Sequence, residues 1–291
     1  DSIRRWPVRW DIPFTGGNPG NTVSAYDNVS APWGSTHEET WKIIKKHHFL
    51  SGMYIWTGFD YLGEPTPYGW PSRSSYFGII DLAGFPKDVY YMYQSEWTDN
   101  PVLHVFPHWN WEENQLIDIV VYTNCEEAEL FLNDKSLGTK KKGPDDLRLV
   151  WRLNFTPGTV KAVGRSQGKI ILEKTIKTAG LPARLLLTPD RNTIRADGKD
   201  LSFITVEVLD NEGNLVPYAD NLIKFRITGE AFIAGVDNGD PVSHDPFKAD
   251  FRKAFNGKCL VVIQSRKSAG KAVLSATADG LQSASVSINM E

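Results

Sequence analysis

A chain of 291 residues is too long for one ordinary sandwich and points to two or three domains. Apolar residues at 41% and charged residues at 23% match a globular chain with a sizeable core, and a formal charge of −3 gives no electrostatic reason to expect nucleic acid. No apolar run reaches the length needed to span a bilayer, and no signal peptide opens the chain, which fits a mature exported protein or an internal piece. The two cysteines, Cys125 and Cys259, lie far apart and read as buried free thiols more readily than as a disulfide. Nine of the ten tryptophans precede residue 112, so the ligand-like composition sits in the N-terminal third and the rest reads as scaffold.

Residues 1–34 carry many breakers, among them Pro7, Pro13, Gly16, Gly17, Pro19 and Gly20, and little periodicity. They read as the middle of a domain rather than its start. Ser35-Thr36-His37-Glu38 predicts a capping box with Ser35 at the N-cap and Glu38 at N3. The helix it opens runs to about His48 with Trp41, Ile44 and His48 on one stripe. His47 and His48 are adjacent and do not share a helix face, so a helix-end pair is a better reading than a metal site. Met53–Trp56 then reads as a buried parallel strand, running out into a loop with Trp56, Asp60 and Glu64. Tyr76 to Ile80 is a short apolar segment, and Pro86 is placed at N1 of a second helix packing through Val89, Tyr93 and Trp97.

Asn100-Pro101 marks a boundary. Beyond it come short alternating runs: Leu116 to Tyr122, Ala128 to Leu132, Leu147 to Leu153, Thr159 to Val163 and Lys169 to Ile176. Gly180-Leu181-Pro182 is a second linker, followed by Ala183 to Thr188, Ser202 to Asp210, Ile223 to Thr228, Gly257 to Ser265 and Gly270 to Ala278. This spacing predicts two antiparallel sandwiches of the immunoglobulin kind. The acidic turn Asp237–Asp240 could hold calcium, although a plain hairpin turn is the more economical reading.

The loop after Met53–Trp56 combines aromatic faces (Trp56, Tyr61, Tyr68, Trp70, Tyr76) with the carboxylates Asp60 and Glu64. Sugars suit such a surface, because their axial C–H groups stack on rings while hydroxyls bond to carboxylates. Packing of the loop alone is the plainer alternative. Asp60 and Glu64 as a catalytic pair is disfavoured, since both lie on one loop.

The stretch SGMYIWTGFDYLGEPTPYGWPSRSSYFGIIDLAGFPKDVYYMYQSEW resembles the last strand and helix of the catalytic barrel of glycoside hydrolase family 2, in particular the β-galactosidase-like members of gut Bacteroidetes. SAYDNVSAPWGSTHEETWK is similar to the segment between the penultimate barrel strand and its helix, so the resemblance covers most of residues 20–110. The sandwiches resemble, more weakly, the accessory β-domains that follow. The resemblance implies a C-terminal β/α piece of a (β/α)8 barrel over residues 1–99, followed by all-β immunoglobulin-like domains at 100–180 and 181–291. It also implies retaining hydrolysis of a β-galactoside-like substrate by two glutamates about 5–5.5 Å apart, with no cofactor and no metal, in a bacterial periplasmic or secreted protein.

Neither catalytic glutamate is expected within these residues. The acid/base sits in an Asn-Glu motif in the family, and the sole such pair here is Asn211-Glu212, in a predicted sandwich turn. The position of the nucleophile falls upstream of Asp1. The resemblance assigns Trp56 as the floor of the sugar subsite, often joined to the next residue by a non-proline cis peptide. It assigns Asp60 as a bonder of sugar hydroxyls and Tyr26, Asp27 and Trp33 to a loop reaching the site. The Asn-x-Lys motif of the glucuronidase branch is absent from Ser72–Phe77, which favours a neutral sugar, with Arg73 still able to pair an acid. The expected partners are a carbohydrate substrate and the remainder of the barrel, since an isolated piece leaves bare apolar surface. The competing reading is a non-catalytic carbohydrate-binding or adhesion module built from the two sandwiches.

Overall fold

The computed structural model describes residues 20–28, 30 and 33–291. Much of the breaker-rich stretch 1–34 thus lies outside the described residues. The chain forms two compact units, one ending at Thr178 and the other spanning Ala179–Glu291.

In the first unit, α1 (His37–Ile44) starts one residue later than the capping box predicts. Thr36 is the N-cap: its Oγ1 accepts from Glu39 N at 3.3 Å, and Glu39 Oε2 accepts from Thr36 N at 3.1 Å. Ser35…Glu38 and Thr36…Glu39 both satisfy the spacing, and Asp27 breaks the tie. Its two carboxylate oxygens accept the N–H groups of His37 at 2.8 Å and Glu38 at 2.6 Å, first-turn donors that have no acceptor within the helix. Glu38 is thereby released to pair with Arg148 and, at 3.3 Å, with Lys42. The helix gives way at Lys45 rather than near His48, passing into short turns closed by Lys46 N to Ile43 O and His47 N to Ile44 O.

The expected buried strand at Met53–Trp56 is not formed. Burial alternates along it, with Met53 and Ile55 packed against the cluster of Val89, Met92 and Tyr93, Tyr54 fully exposed, and Trp56 71% exposed. An apolar run becomes a buried strand only when neighbours supply a ladder and a cover. Among the described residues a ladder begins only at Thr57, where 57–60 run parallel to 77–80. The second helix, α2 (Asp88–Trp97), has Lys87 as N-cap, so Pro86 precedes the cap instead of occupying N1. Its buried residues are Val89, Met92, Tyr93 and Ser95, while Trp97 is partly exposed.

Seven strands follow: β1 (Leu103–Phe106), β2 (Leu116–Thr123), β3 (Glu127–Leu132), β4 (Lys135–Lys141), β5 (Leu149–Asn154), β6 (Thr159–Ser166) and β7 (Lys169–Lys177). They form sheets ordered β1-β2-β5 and β4-β3-β6-β7, facing each other across Ile117, Ile119, Val121, Leu130, Trp151 and Val160. β2 is buried at nearly every position, which an antiparallel strand with one wet face would not be. Its alternate residues Val120 and Tyr122 explain this, because they pack with Tyr26, Phe106, Met92 and Leu147 in a second core. The β1-β2-β5 sheet is therefore covered on both faces, by the sandwich on one side and by α2 and its neighbours on the other. Asp118, fully buried on β2, takes two bonds from Arg152 across the strands, at 2.7 and 3.0 Å.

Glu96 on α2 adds a polar tie. It accepts from Trp41 Nε1 at 3.1 Å, Lys45 Nζ at 2.8 Å and Lys142 Nζ at 2.7 Å. Burial raises its carboxyl, and these three donors outweigh that effect and hold it below the ordinary range.

The second unit contains β8 (Arg184–Pro189), β9 (Thr193–Ile194), β10 (Leu201–Leu209), β11 (Leu222–Gly229), β12 (Ala231–Asp237), β13 (Phe251–Lys253), β14 (Lys258–Ser265), β15 (Gly270–Thr277) and β16 (Ala284–Met290). They form sheets ordered β12-β14-β10-β8 and β13-β11-β15-β16-β9 around Ile204, Val206, Ile223, Val261, Leu274 and Ile288. The segment after β12 is closed around Arg252, which is fully buried. Its Nη2 donates to Val236 O at 2.8 Å and Pro246 O at 3.3 Å, and its Nη1 to Ser243 Oγ at 3.2 Å and Asp245 O at 3.4 Å. Within Asp237–Asp240 the side chains cap their own turn, with Asn238 N donating to Asp237 Oδ1 at 2.7 Å and Asp240 N to Asn238 Oδ1 at 3.1 Å. Cys125 and Cys259 are both buried free thiols.

Candidate functional site

The aromatic loop is held by two short ladders. In the first, Thr57 N donates to Phe77 O at 3.0 Å, Ile79 N to Thr57 O at 3.0 Å, and Asp60 N to Ile80 O at 2.9 Å. The backbones approach so closely at Gly78 that a Cβ there would lie 2.2 Å from Asp60 N, which is why glycine occupies this position. In the second, Ser75 N donates to Tyr61 O at 2.8 Å and Gly63 N to Arg73 O at 2.7 Å. Further along, Tyr68 Oη donates to Thr22 O at 2.7 Å, and Tyr76 Oη donates to Asn21 O.

Trp56 stands on this frame, and its peptide bond to Thr57 is cis. Its Nε1 donates to Tyr61 Oη at 3.2 Å, with the two rings at 81° and 6.1 Å between centroids. Tyr61 Oη in turn donates to Glu64 Oε2. Desolvation first, and the bond to Glu64 next, raise the Tyr61 phenol above its ordinary range, so it remains a donor at neutral pH. The indole edge is thus tied while its face stays open. Tyr54, Phe59, Leu62 and Trp70 are exposed on the same stretch, a larger apolar display than scattered surface residues make.

The other residues named from the sequence go elsewhere. Asp60 points into the protein: its Oδ2 lies 2.8 Å from Lys87 Nζ, with both side chains 8% exposed, and its Oδ1 accepts from Gly78 N at 2.8 Å. Lys87 completes the tie by donating to Tyr76 O at 3.2 Å. Asp27 caps α1, and burial pushes its carboxyl up to about 7 against the lowering by the His37 N–H and Arg148. Tyr26 is buried and stacks on Phe106 at 5.6 Å. Trp33 is exposed. His37, whose Nδ1 is 2.9 Å from Tyr93 Oη, is pushed down to about 4 by burial and by Lys87. Sequence reasoning overlooked Lys87 and Gly78, whose roles appear only once residues 57–60 and 77–80 are paired. Tyr61 and Glu64 stood out there as aromatic and acid, but their bond to each other and to Trp56 did not.

Among the described residues no group of three or more His, Cys, Asp or Glu side chains is placed to hold a metal ion. No helix among them is long and apolar enough to cross a membrane.

Comparison with known proteins adds to this geometry. The family model described as "Glycoside hydrolase family 2 C-terminal domain 5" matches residues 185–287, and a domain of unknown function (DUF4982) matches residues 114–172. The chain is 59% identical over its whole length to the β-galactosidase BoGH2A of Bacteroides ovatus, of which it covers 34%. It is 34% identical over 83% of its length to a putative β-glucuronidase of Formosa agariphila, covering 24% of that protein. The crystal structure of a β-glycosidase from Bacteroides vulgatus superposes with a TM-score of 0.87 at 35% identity, over 92% of this chain and 34% of that one. The chain belongs to glycoside hydrolase family 2, and it spans about a third or less of the length of these relatives.

Proposed function

We propose that these residues form the closing part of the catalytic barrel, over 1–99, and two immunoglobulin-like domains, at 100–180 and 181–291, of a retaining β-glycosidase of the β-galactosidase type. Such an enzyme hydrolyses O-glycosidic bonds with two glutamates, both contributed by parts of the longer protein outside this chain. Here the chain supplies Trp56 as a sugar platform, and the bare surface of Tyr54, Phe59 and Leu62 packs against the remainder of the barrel. A periplasmic or extracellular location goes with this activity on carbohydrates.

The observation that carries the reading is Trp56: a 71% exposed indole on a braced loop, with one edge tied and a face open for stacking. A neutral sugar is favoured by the absence of Asn-x-Lys between Ser72 and Phe77, and by 59% identity to a β-galactosidase. The test is hydrolysis of p-nitrophenyl β-D-galactoside and β-D-glucuronide by the full-length enzyme and its W56A variant. The galactoside should be cleaved faster, and W56A should raise KM about tenfold or more. Preference for the glucuronide, or unchanged constants in W56A, would overturn the reading.

A further inference from the structure

We infer that Tyr61 and Glu64 are positioning residues for the Trp56 platform, holding the indole through a relay from Trp56 Nε1–H to Tyr61 Oη and from Tyr61 O–H to Glu64 Oε2. The inference rests on the proposed sugar-platform role of Trp56. Three observations carry it. The relay uses the one donor of the indole, at 3.2 Å, so the ring is fixed about the bonds that would otherwise let it swing across the loop. Because the indole N–H points along the ring plane, its bond to Tyr61 Oη places that hydroxyl at the edge of Trp56, with the two rings at 81°, rather than over the face that a sugar would use. Glu64 has φ +48°, a left-handed conformation that Gly, Asn and Asp adopt far more readily than Glu, and Gly63 before it has φ +100°. A turn needing only that backbone would be served better by glycine, whereas Glu64 also brings a carboxylate to the Tyr61 hydroxyl.

The relay also has a consequence for specificity. With its N–H committed to Tyr61, Trp56 offers a ligand a π face and no hydrogen-bond donor. The ligand group above it is accordingly the apolar C–H face of a pyranose, and polar recognition of the hydroxyls falls to other residues.

A double-mutant cycle in the full-length enzyme, with p-nitrophenyl β-D-galactoside as probe, tests this. Y61F should raise KM about threefold to tenfold, the worth of one hydrogen bond, with kcat within about twofold. In a W56F background, which has no indole N–H, Y61F should change nothing further. E64A should match Y61F, and E64Q, which keeps an acceptor, should recover most of the loss; this pair also serves if Y61F folds poorly. Additive effects of Y61F and W56F, or equal effects of E64Q and E64A, would overturn the relay. If W56F raises KM and Y61F does not, the relay alone falls. If W56F leaves both constants unchanged, the platform falls and the relay with it.

Discussion

Asp60 Oδ2 and Lys87 Nζ meet at 2.8 Å with both side chains 8% exposed, joining the loop that carries Trp56 to the N-cap of α2. Removing one partner of such a pair leaves a charge buried without compensation, which costs about 3–5 kcal/mol. We therefore expect D60A and K87M each to lower stability by about that amount in thermal or denaturant unfolding, and the double variant to lose less than their sum. Activity separates bracing from sugar contact. If Asp60 braces the loop, K87M impairs galactoside turnover as much as D60A does, whereas a sugar contact would make D60A far the worse of the two.

Gly78 sets the spacing of the same loop. A methyl group there would meet Asp60 N at 2.2 Å and Ile80 O and Phe59 C at 2.5 Å, all of them backbone atoms. G78A should cost about 3 kcal/mol and weaken substrate binding together with stability. A variant as stable as the parent would show that the two segments can separate freely.

Asp27 and His37 give the α1 N-terminus a concealed pH dependence. The Asp27 carboxyl, ordinarily 3.8, is pushed up to about 7, chiefly by burial, so its contribution to stability is full below about 4 and is lost as pH rises to 7. His37, ordinarily 6.5, is pushed down to about 4, also chiefly by burial, so its contribution is lost as pH falls from 6.5 to 4. The two slopes oppose each other and largely cancel. D27N should therefore become more stable between pH 4 and 6.5, and H37Q less stable over the same rise. Each slope should approach about 1.4 kcal/mol per pH unit, followed by unfolding at half-unit intervals. Parallel pH profiles for the two variants would contradict this assignment.

Glu96 draws Trp41, Lys45 and Lys142 together. E96A should cost about 2–3 kcal/mol, below the value for a fully buried pair because Lys45 reaches solvent. E96Q should recover part of the loss, since it still accepts one bond. The measurement is the unfolding midpoint at low and moderate salt. A loss that salt abolishes would mean that the cluster behaves as a surface pair.

The sandwich strands could be read from the sequence wherever alternation was strong, as in β10 and β14, because one wet face imposes a period of two. β4 escaped because Lys135–Lys141 is an exposed, almost wholly polar edge strand, whereas Ala284–Met290 of β16 does alternate, with Val286, Ile288 and Met290 set between Ser285, Ser287 and Asn289, and sequence reasoning overlooked it. Met53–Trp56 misled for the opposite reason: composition records that a run is apolar, not whether another segment pairs with it, and among the described residues the ladder begins only at Thr57. The one-residue shift at α1 was undecidable locally, since Ser35-Thr36 faces Glu38-Glu39 in two equivalent registers and the deciding carboxylate lies ten residues away, on Asp27. Trp56 was reached through resemblance to a family. Asp60 was assigned to the sugar through the same resemblance, and its pairing with Lys87 was not legible, because the two lie 27 residues apart, at a distance that no motif spans.

Arg252 offers a different lesson. The carbonyls of Val236, Asp245 and Pro246 and the hydroxyl of Ser243 converge on its guanidinium much as oxygen ligands converge on a bound cation. This cation is covalently part of the chain, so it has no dissociation constant and never exchanges with the medium. The segment around it is thus drawn together at the moment of folding by a charge that the chain itself carries.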